Sequence, residues 1–316
     1  MNCGALVIRI VRVMNLIKVI LMPFLYLKNK TRPWRKHKAI IEKSLLVLED
    51  KARMVVKLNA CELRRKILND ARSLENKRLL RHGFKAYSQN DEDGIIQEIF
   101  QRIGAVNKNF VEIGVGNGLE NNTLYLLVQG WRGLWVEANH KYVKQINLKF
   151  EHAITNGNLE IKNTCIQKEN INQVIDKWQS TDGGLDLFSL DIDGSDYHVL
   201  EAIKALNARL VILEYNSKYR PPVKWVMEHN PKHSYVFSDY YGASLKSLEI
   251  LLIEKGYKLV GCNLSGVNAF FVREDLVEKH FLDDGSAENH YEPERVVLSH
   301  ALEAHHPPNF GPFQAK

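Results

Sequence analysis

The sequence is poor in cysteine and contains no long apolar segment. Its four cysteines, Cys3, Cys61, Cys165 and Cys262, are far apart and form no Cys-x-x-Cys pair. This spacing argues against a disulfide framework or a structural zinc site, and it fits a protein of the reducing cytosol. The longest clean apolar run covers residues 19–27. It is too short to span a membrane, which takes roughly 20 residues, and the region lacks a signal-peptide cleavage site.

The N-terminal segment, residues 1–38, is instead basic and amphipathic. Arg9, Arg12, Asn15 and Lys18 recur at every third position of an apolar stretch, and a run of basic residues follows it. Such a pattern is typical of helices that lie on an anionic membrane surface. A helix that packs on its own domain or on a partner gives the same pattern. We expect a cytoplasmic protein, with peripheral association with the inner face of a membrane as one alternative.

Two further segments flank the central part of the chain. Residues 39–81 contain no Pro or Gly and place apolar residues three or four positions apart, which predicts a helical arm. Such an arm is usually a packing surface, and it could support a homo-oligomer. The C-terminal tail, residues 280–316, includes four histidines between positions 290 and 306. Their spacings match no zinc motif, so no function is predicted for the tail.

The central domain, residues 82–279, alternates between predicted strands and predicted helices. Five strands with crossover helices are followed by a helix and by two strands that only residues 263–266 separate. Crossover helices imply parallel strands with helices on both faces of the sheet. A connection as short as the last one forces an antiparallel pair. The sequence therefore predicts an α/β domain with a seven-stranded, mostly parallel sheet whose last strand is antiparallel.

The first predicted strand leads into a turn with three glycines, in the stretch Phe110-Val-Glu-Ile-Gly-Val-Gly-Asn-Gly118. Glycine lets backbone N–H groups approach a ligand closely, and the start of the following helix favours polar or anionic groups. A dinucleotide-binding turn has the spacing Gly-x-Gly-x-x-Gly, whereas here position 119 is Leu. The acid Glu112, two residues before the first glycine, also distinguishes this turn from the dinucleotide type.

Acidic residues end several of the other predicted strands. Glu137 ends the second strand, Asp191 and Asp193 end the fourth, and Glu214 with Asn216 ends the fifth. Ligands of open α/β sheets lie beyond the carboxyl ends of the strands. Carboxylate and amide oxygens there suit a hard cation such as Mg²⁺. Alternatively, Asp193 acts alone as a general base on a hydroxyl, or Asp191 only caps the turn before the next helix.

Several of these stretches resemble S-adenosylmethionine-dependent methyltransferases. Residues 112–118 are similar to motif I of the class I fold, and residues 191–200 resemble a segment of FkbM-type and of macrolide-sugar O-methyltransferases. Three further stretches look like other parts of the same group: residues 87–96, 118–125 and 241–246. The resemblance covers residues 84–275. It departs from the family at Asp193, where Glu is usual, and residues 1–80 match nothing in it.

The resemblance implies a Rossmann-like class I methyltransferase that uses S-adenosylmethionine as its cofactor. In that family the acid at the position of Glu112 helps to hold the methionine end of the cofactor. The acid at Glu137 accepts the ribose hydroxyls, and Ile166 flanks the adenine. The implied cofactor-binding residues are Glu112, Gly114, Gly116, Asn117, Gly118, Asn122, Glu137, Ala138, Ile166 and Asp191.

The resemblance also implies methyl transfer to a hydroxyl of a sugar, glycan or secondary metabolite. In the sugar O-methyltransferases the acid at the position of Asp193 is a base or a metal ligand, and the acid at the position of Glu214 is a further ligand. From the acidic strand ends we add Asp191 as a second catalytic candidate and Asn216 as a further candidate Mg²⁺ ligand. The insert at residues 217–242 is rich in aromatic residues, which suits sugar rings, and we expect it to be a substrate lid.

Two other interpretations stay open. The stretch from Phe188 to Ser195 looks like the Asp-x-Asp motif of haloacid-dehalogenase-type phosphatases, in which Asp191 would be the nucleophile and Asp193 a general acid, with Mg²⁺. That motif usually opens its domain, whereas here three strand units precede it. A non-catalytic, membrane-tethered scaffold with a methyltransferase fold is the second alternative. Nucleic acid is not an expected partner, because no Asn-Pro-Pro-Tyr or Asp-Pro-Pro-Tyr motif follows the fourth strand.

Overall fold

The computed structural model describes residues 32–180, 183–231, 233, 238–299 and 309–311. The chain divides into two compact units, Met1–Lys66 and Ile67–Lys316. Almost all of the predicted membrane-surface segment lies outside the described residues, since only the backbone of residues 32–38 is described. Within the described part of the chain, no helix has both the length and the apolar character that crossing a bilayer requires.

The first unit is described as one long helix. Helix α1, Arg32–Leu68, covers most of the predicted helical arm. Several of its apolar side chains are more than half exposed, among them Leu46, Met54 and Leu58. Whether this surface supports a homo-oligomer stays a prediction.

The helix ends at Leu68, well before the predicted end of the arm at residue 81. The chain then forms a series of turns, in which the Asp70 carboxylate accepts a hydrogen bond from the Arg72 backbone N–H at 3.0 Å. Asp and Asn stabilise turns through such bonds to their own local backbone. The sequence Asn69-Asp70 therefore stops a helix that the apolar spacing alone would extend.

The second unit contains the predicted alternation of strands and helices. Its strands are β1 Asn109–Ile113, β2 Arg132–Glu137, β3 Leu159–Asn163, β4 Leu187–Leu190, β5 Leu210–Glu214, β6 Tyr257–Cys262 and β7 Asn268–Arg273. Its helices are α2 Glu92–Ile103, α3 Leu124–Val128, α4 His140–Lys149, α5 Glu151–Thr155, α6 Ile171–Gln179, α7 Asp196–Ala202, α8 Leu245–Glu254 and α9 Ala287–His290.

The seven strands form one sheet in the order β3-β2-β1-β4-β5-β7-β6. Strands β1 to β5 pair in parallel. Strand β7 lies between β5 and β6 and is antiparallel to both. The predicted fold class, a mostly parallel seven-stranded sheet with an antiparallel last strand, is confirmed. The chain order reverses between β1 and β4, and ligands of open α/β sheets bind at such a switch point.

Alternating side chains of the strands build a core on each face of the sheet. In β1, Val111 and Ile113 join one apolar cluster, which also contains residues of α6, α7 and α8. Phe110 of the same strand points to the other face, where Trp135 and residues of α2, α3 and α4 pack. Because both faces are covered, the edge formed by the carboxyl ends of the strands is the concave surface left for a ligand.

Candidate functional site

A cavity of about 560 Å³ lies at the carboxyl ends of β1, β2 and β4. Six of the predicted cofactor-binding residues line it: Gly114, Gly116, Glu137, Ala138, Ile166 and Asp191. They come from three strand ends and from the segment that follows β3. We refer to this space as the cofactor cavity.

The glycine turn forms the floor of the cofactor cavity. Gly114 has a φ of +86°, and a Cβ at this position would lie 1.5 Å from the carbonyl oxygen of Asp191. The Gly114 N–H donates to Val136 O at 2.9 Å. Gly116, with a φ of +56°, donates its N–H to Glu137 Oε2 at 2.8 Å. The turn therefore needs glycine at residue 114 for close packing against Asp191 and at residue 116 for its backbone conformation.

Glu137 holds the turn and also presents its carboxylate to the cavity. Its Oε1 accepts the backbone N–H of Asn139 at 2.7 Å, and its Oε2 accepts that of Gly116. The side chain is thus fixed by two backbone donors. A carboxylate offers about four acceptor sites, so both oxygens can still accept a ligand hydroxyl. This geometry suits a molecule that presents two adjacent hydroxyl groups.

The other four predicted cofactor-binding residues do not line the cavity: Glu112, Asn117, Gly118 and Asn122. Glu112 is buried and accepts the Asn122 N–H at 2.8 Å and the Thr123 hydroxyl at 2.5 Å. Trp135 Nε1 in turn donates to Thr123 Oγ1 at 2.7 Å. Burial raises the pKa of Glu112 to about 7. Glu112 therefore links β1, β2 and the start of α3, and its contact with a cofactor stays a prediction.

Gly118 and Asn117 also have contacts inside the protein. A Cβ at Gly118 would lie 2.9 Å from the ring of Trp135. The Asn117 side chain accepts the Leu119 N–H at 3.0 Å. Both residues therefore stabilise the turn through contacts inside the protein. Their contact with a cofactor stays a prediction.

The predicted acids at the ends of β4 and β5 meet in one cluster. Ligand oxygens of Asp191, Asp193 and Glu214 all lie within 4.8 Å of one another. Burial, and then the charges of Asp196 and Asp193, raise the pKa of Asp191 well above its usual value. Burial, and then the charge of Asp191, do the same for the pKa of Glu214. Three carboxylates this close favour a shared proton or a cation between them.

Asp196 serves a different purpose from its neighbours in the cluster. Its Oδ1 accepts the Ile192 N–H at 2.8 Å and its Oδ2 accepts the Gly194 N–H at 2.9 Å. It thereby bends the chain after β4, and Asp193 at the bend has a φ of +57°. Burial raises the pKa of Asp193, while the nearby His233 opposes this effect.

A second cavity, of about 340 Å³, lies on the other side of the acidic cluster. Asp191 and Asp193 line both cavities, and Glu214 and Tyr241 line only the second. We refer to this space as the acceptor cavity, after the role that we propose for it below. The site thus consists of two cavities separated by two aspartates at the switch point of the sheet.

Asn216, the remaining predicted metal ligand, lies outside the lining of both cavities. Its side-chain amide donates to the carbonyl oxygens of Asp239 and Tyr241, at 2.9 and 3.0 Å. Its Oδ1 accepts the Lys218 N–H at 3.2 Å. The side chain therefore closes the base of the aromatic insert, and its role in metal binding stays a prediction.

The aromatic insert borders both cavities. Asn230, Pro231 and His233 line the cofactor cavity, and Ser217 and Tyr241 line the acceptor cavity. Between these residues, Tyr219 stacks on Trp225, with ring centroids 4.3 Å apart. This placement agrees with a lid, although substrate contact is still a prediction.

Sequence reasoning did not assign some residues that line the acceptor cavity. Gln89 and Asn90 precede α2, and Glu294 and Ser299 come from the C-terminal tail. The sequence did contain a signal for Gln89 and Asn90, because both fall within residues 87–96, a stretch that resembles the methyltransferases. For the tail residues no local pattern was available.

Comparisons with known proteins give structural similarity only. No family model matches the sequence, and no curated protein matches it. The chain is similar to the N-terminal domain of EvdMO1 with SAH bound, at 16% identity and a TM-score of 0.39, over 66% of this chain and 94% of that one. It is also similar to an O-methyltransferase from Bacillus cereus in complex with SAH, at 15% identity and a TM-score of 0.38, over 69% and 89% of the two chains.

A third similar structure is a putative caffeoyl-CoA O-methyltransferase from Staphylococcus aureus, at 16% identity and a TM-score of 0.39, over 67% of this chain and 91% of that one. TM-scores of this size are too low for the role of a residue to be transferred from these structures to this chain. The roles considered below therefore depend on the geometry of this chain.

Proposed function

We propose that the protein is an S-adenosylmethionine-dependent O-methyltransferase that acts on a hydroxyl of a sugar, a glycan or a secondary metabolite. The observation that carries the proposal is the pair of cavities that meet at Asp191 and Asp193. Methyl transfer needs two substrates side by side, with the acceptor oxygen in line with the bond that breaks. A cofactor in one cavity and an acceptor in the other would satisfy this requirement.

The cofactor cavity suits the polar parts of S-adenosylmethionine. The Glu137 carboxylate would accept the two ribose hydroxyls, because backbone donors already fix its orientation. Ile166 is an apolar wall on which the adenine can pack. Asp191 would face the positively charged sulfonium end of the cofactor, and a nearby carboxylate stabilises such a cation.

Asp193 is placed to handle the acceptor proton. The acceptor hydroxyl would lie in the acceptor cavity, and its proton would pass to the Asp193 carboxylate as the oxygen attacks the methyl carbon. S-adenosylmethionine would supply the methyl group, and the break of its methyl–sulfur bond would leave neutral S-adenosylhomocysteine. Burial raises the pKa of Asp193, which makes it a better base than an ordinary aspartate.

Asp191, Asp193 and Glu214 also fit a divalent cation, because three carboxylates converge within 4.8 Å. Such a cation would lower the pKa of the acceptor hydroxyl. The phosphatase alternative is weaker, since the Asp-x-Asp stretch follows β4, and three strands of the sheet precede it in the chain.

Calorimetric titration with S-adenosylhomocysteine, with and without Mg²⁺, tests the proposal. We expect micromolar binding to the wild type. Glu137→Ala should weaken it about 10- to 100-fold, because hydrogen bonds to a charged group contribute about 1.5–3 kcal/mol. Glu160→Ala is the matched control, since Glu160 is an exposed acid of β3 that pairs with Lys177 and lines neither cavity. The absence of binding in a folded sample would remove the methyltransferase proposal.

A further inference from the structure

Residues 286–299 form a strap that lies along one side of the acceptor cavity. It begins at α9 and ends in a short 3-10 helix, Val296–Leu298. We call it the C-terminal strap. It belongs to the tail for which the sequence predicts no function, yet it contributes Glu294, Val296 and Ser299 to the cavity lining.

Glu292 is the main anchor of the C-terminal strap. Its side chain is 1% exposed and forms ion pairs with Arg72, at 2.5 Å, and with Arg295, at 2.8 Å. Its backbone carbonyl accepts the Tyr215 hydroxyl at 2.6 Å. Tyr215 directly follows Glu214 at the end of β5. The anchor therefore ties the strap to the strand end that supplies one acid of the cluster.

Other contacts hold the C-terminal strap over the turn between β6 and β7. The Arg295 N–H donates to Ser265 O at 2.8 Å, and its guanidinium donates to Leu264 O at 2.6 Å. On the other side, the Tyr291 hydroxyl donates to Ser217 O at 2.5 Å, at the start of the aromatic insert. These bonds on both sides of residue 294 fix its position relative to the acidic cluster.

The charges that line the acceptor cavity all have one sign. Four carboxylates face it: Asp191, Asp193, Glu214 and Glu294. Among the described residues that line this cavity, none is Lys or Arg. An ionised carboxylate such as that of Glu294 only accepts hydrogen bonds, so the part of a ligand that meets it must donate hydrogen bonds and avoid negative charge.

Glu294 differs from the other three acids in its surroundings. It is exposed to the cavity, and no described residue donates a hydrogen bond to its carboxylate. Asp191, Asp193 and Glu214 lie together in the cluster at the strand ends, whereas Glu294 comes from the strap. Besides burial, the charge of Glu294 helps to raise the pKa of Glu214, so the two carboxylates face the same part of the cavity. The Glu294 carboxylate is therefore available to an acceptor group beside the cluster.

We propose that Glu294 is a specificity-determining residue, held in place by Glu292, which selects a hydroxyl-rich acceptor that is neutral or carries an amino group and rejects an anionic one. The inference rests on the proposed function, because it treats this cavity as the acceptor site.

Saturation-transfer NMR on the protein loaded with S-adenosylhomocysteine tests this inference. The probes are matched triplets of an uncharged sugar, its amino sugar and its uronate, in the glucose, galactose and mannose series. We expect at least one uncharged or amino sugar to bind at least fivefold more tightly than its uronate. Equal or tighter binding of the uronates would overturn the inference, and so would a lack of binding by every sugar.

Variants at residue 294 identify the residue that is responsible. Glu294→Gln should reduce the preference for the amino sugar over the uronate at least threefold, and Glu294→Lys should reverse it. Glu288→Gln is the matched control, because Glu288 is an acid of the same strap that pairs with Lys246 and lies outside the cavity. An unchanged preference in Glu294→Lys would overturn the inference.

The binding of S-adenosylhomocysteine separates this inference from the proposed function. Residue 294 does not line the cofactor cavity, so all three variants should keep the wild-type affinity for it. If the cofactor binds but sugars show no charge preference, only the inference fails. If the cofactor does not bind to the folded wild type, the proposed function fails and the inference fails with it.

Discussion

Replacing Gly114 by Ala should damage the protein much more than the same change at Gly116. Both glycines have positive φ, but only Gly114 lies against another strand end. A Cβ at residue 114 would lie 1.5 Å from Asp191 O, whereas a Cβ at residue 116 would meet nothing within 4 Å. The Asp191 N–H also donates to Ile113 O at 3.0 Å. The ends of β1 and β4 would therefore have to separate to admit the methyl group.

The expected loss of unfolding free energy has two contributions, backbone strain and steric overlap. A left-handed backbone costs an alanine roughly 1–2 kcal/mol, and this applies to both variants. Forcing an additional carbon into a packed position costs roughly 1–3 kcal/mol more, and this applies only to Gly114→Ala. We therefore expect Gly116→Ala to lose about 1–2 kcal/mol of unfolding free energy and Gly114→Ala about 2–5 kcal/mol.

Urea unfolding followed by circular dichroism measures this difference. With an m-value of about 3 kcal/mol/M, a separation of about 2 kcal/mol moves the two midpoints apart by about 0.7 M. Gly114→Ala should also weaken the binding of S-adenosylhomocysteine, since it displaces Asp191 from the cavity wall. Equal midpoints for the two variants would show that β1 and β4 are not packed at residue 114 as described.

Two further predictions concern His290 and Asp193. His290 is 4% exposed, and burial, with the charges of Arg78 and Arg72, lowers its pKa to about 4. As pH falls from about 6.5 to 4, the unfolded chain takes up a proton before the folded one, so stability is lost at about 1.4 kcal/mol per unit. His290→Gln should remove this loss of unfolding free energy when urea unfolding is measured over the same pH range. If the unfolding free energies of the wild type and the variant fall in parallel, the prediction is wrong. Asp193→Asn should lower methyl transfer about 10²- to 10⁴-fold while S-adenosylhomocysteine binds as in the wild type; retained activity would refute its role as base.

The order and type of the sheet's strands could be predicted because each strand is an apolar run between clear breaks. The sequence predicts strands at residues 110–114, 133–137, 209–215, 257–262 and 267–273. Strand β6 has the predicted bounds, and β1, β2, β5 and β7 differ from the prediction by one residue at one or both ends. The third strand is predicted at residues 159–166, but β3 ends at Asn163, because its pairing with β2 stops at Glu137. Strand β4 ends at Leu190, since Asp196 draws the backbone of the following residues into a turn.

The residues that line the cofactor cavity were also accessible from the sequence, since six of those predicted to bind a cofactor lie there. These residues follow the ends of strands, and the sequence marks each strand as an apolar run. A hydrogen bond from the Gly116 N–H joins the glycine turn to the side chain of Glu137, which lies 21 positions further along the chain. Glycine spacing and an acid at the end of a strand are local patterns, and a single stretch of sequence displays each of them.

The wall that the C-terminal strap adds to the acceptor cavity could not be predicted, because contacts between distant residues hold it in place. Arg72 and Glu292 are 220 positions apart, and Tyr215 and Glu292 are 77 apart. No periodicity or motif in the tail marks residue 292 as buried or residue 294 as facing a cavity. The tail contains four histidines between positions 290 and 306. Of these four, the structure describes His290, which is buried and hydrogen-bonded to Asp284 O rather than placed at either cavity.

The walls of the two cavities differ in how easily they accept substitutions. The cofactor cavity is formed by strand ends and tight turns, where a single added methyl group would overlap the backbone, as at Gly114. One wall of the acceptor cavity is formed by the C-terminal strap, whose cavity-facing acid, Glu294, is exposed. Substitutions at residue 294 therefore carry little cost in packing, while Glu292 keeps the strap in position. Such an arrangement allows acceptor selection to vary while the cofactor side and the two shared aspartates stay the same.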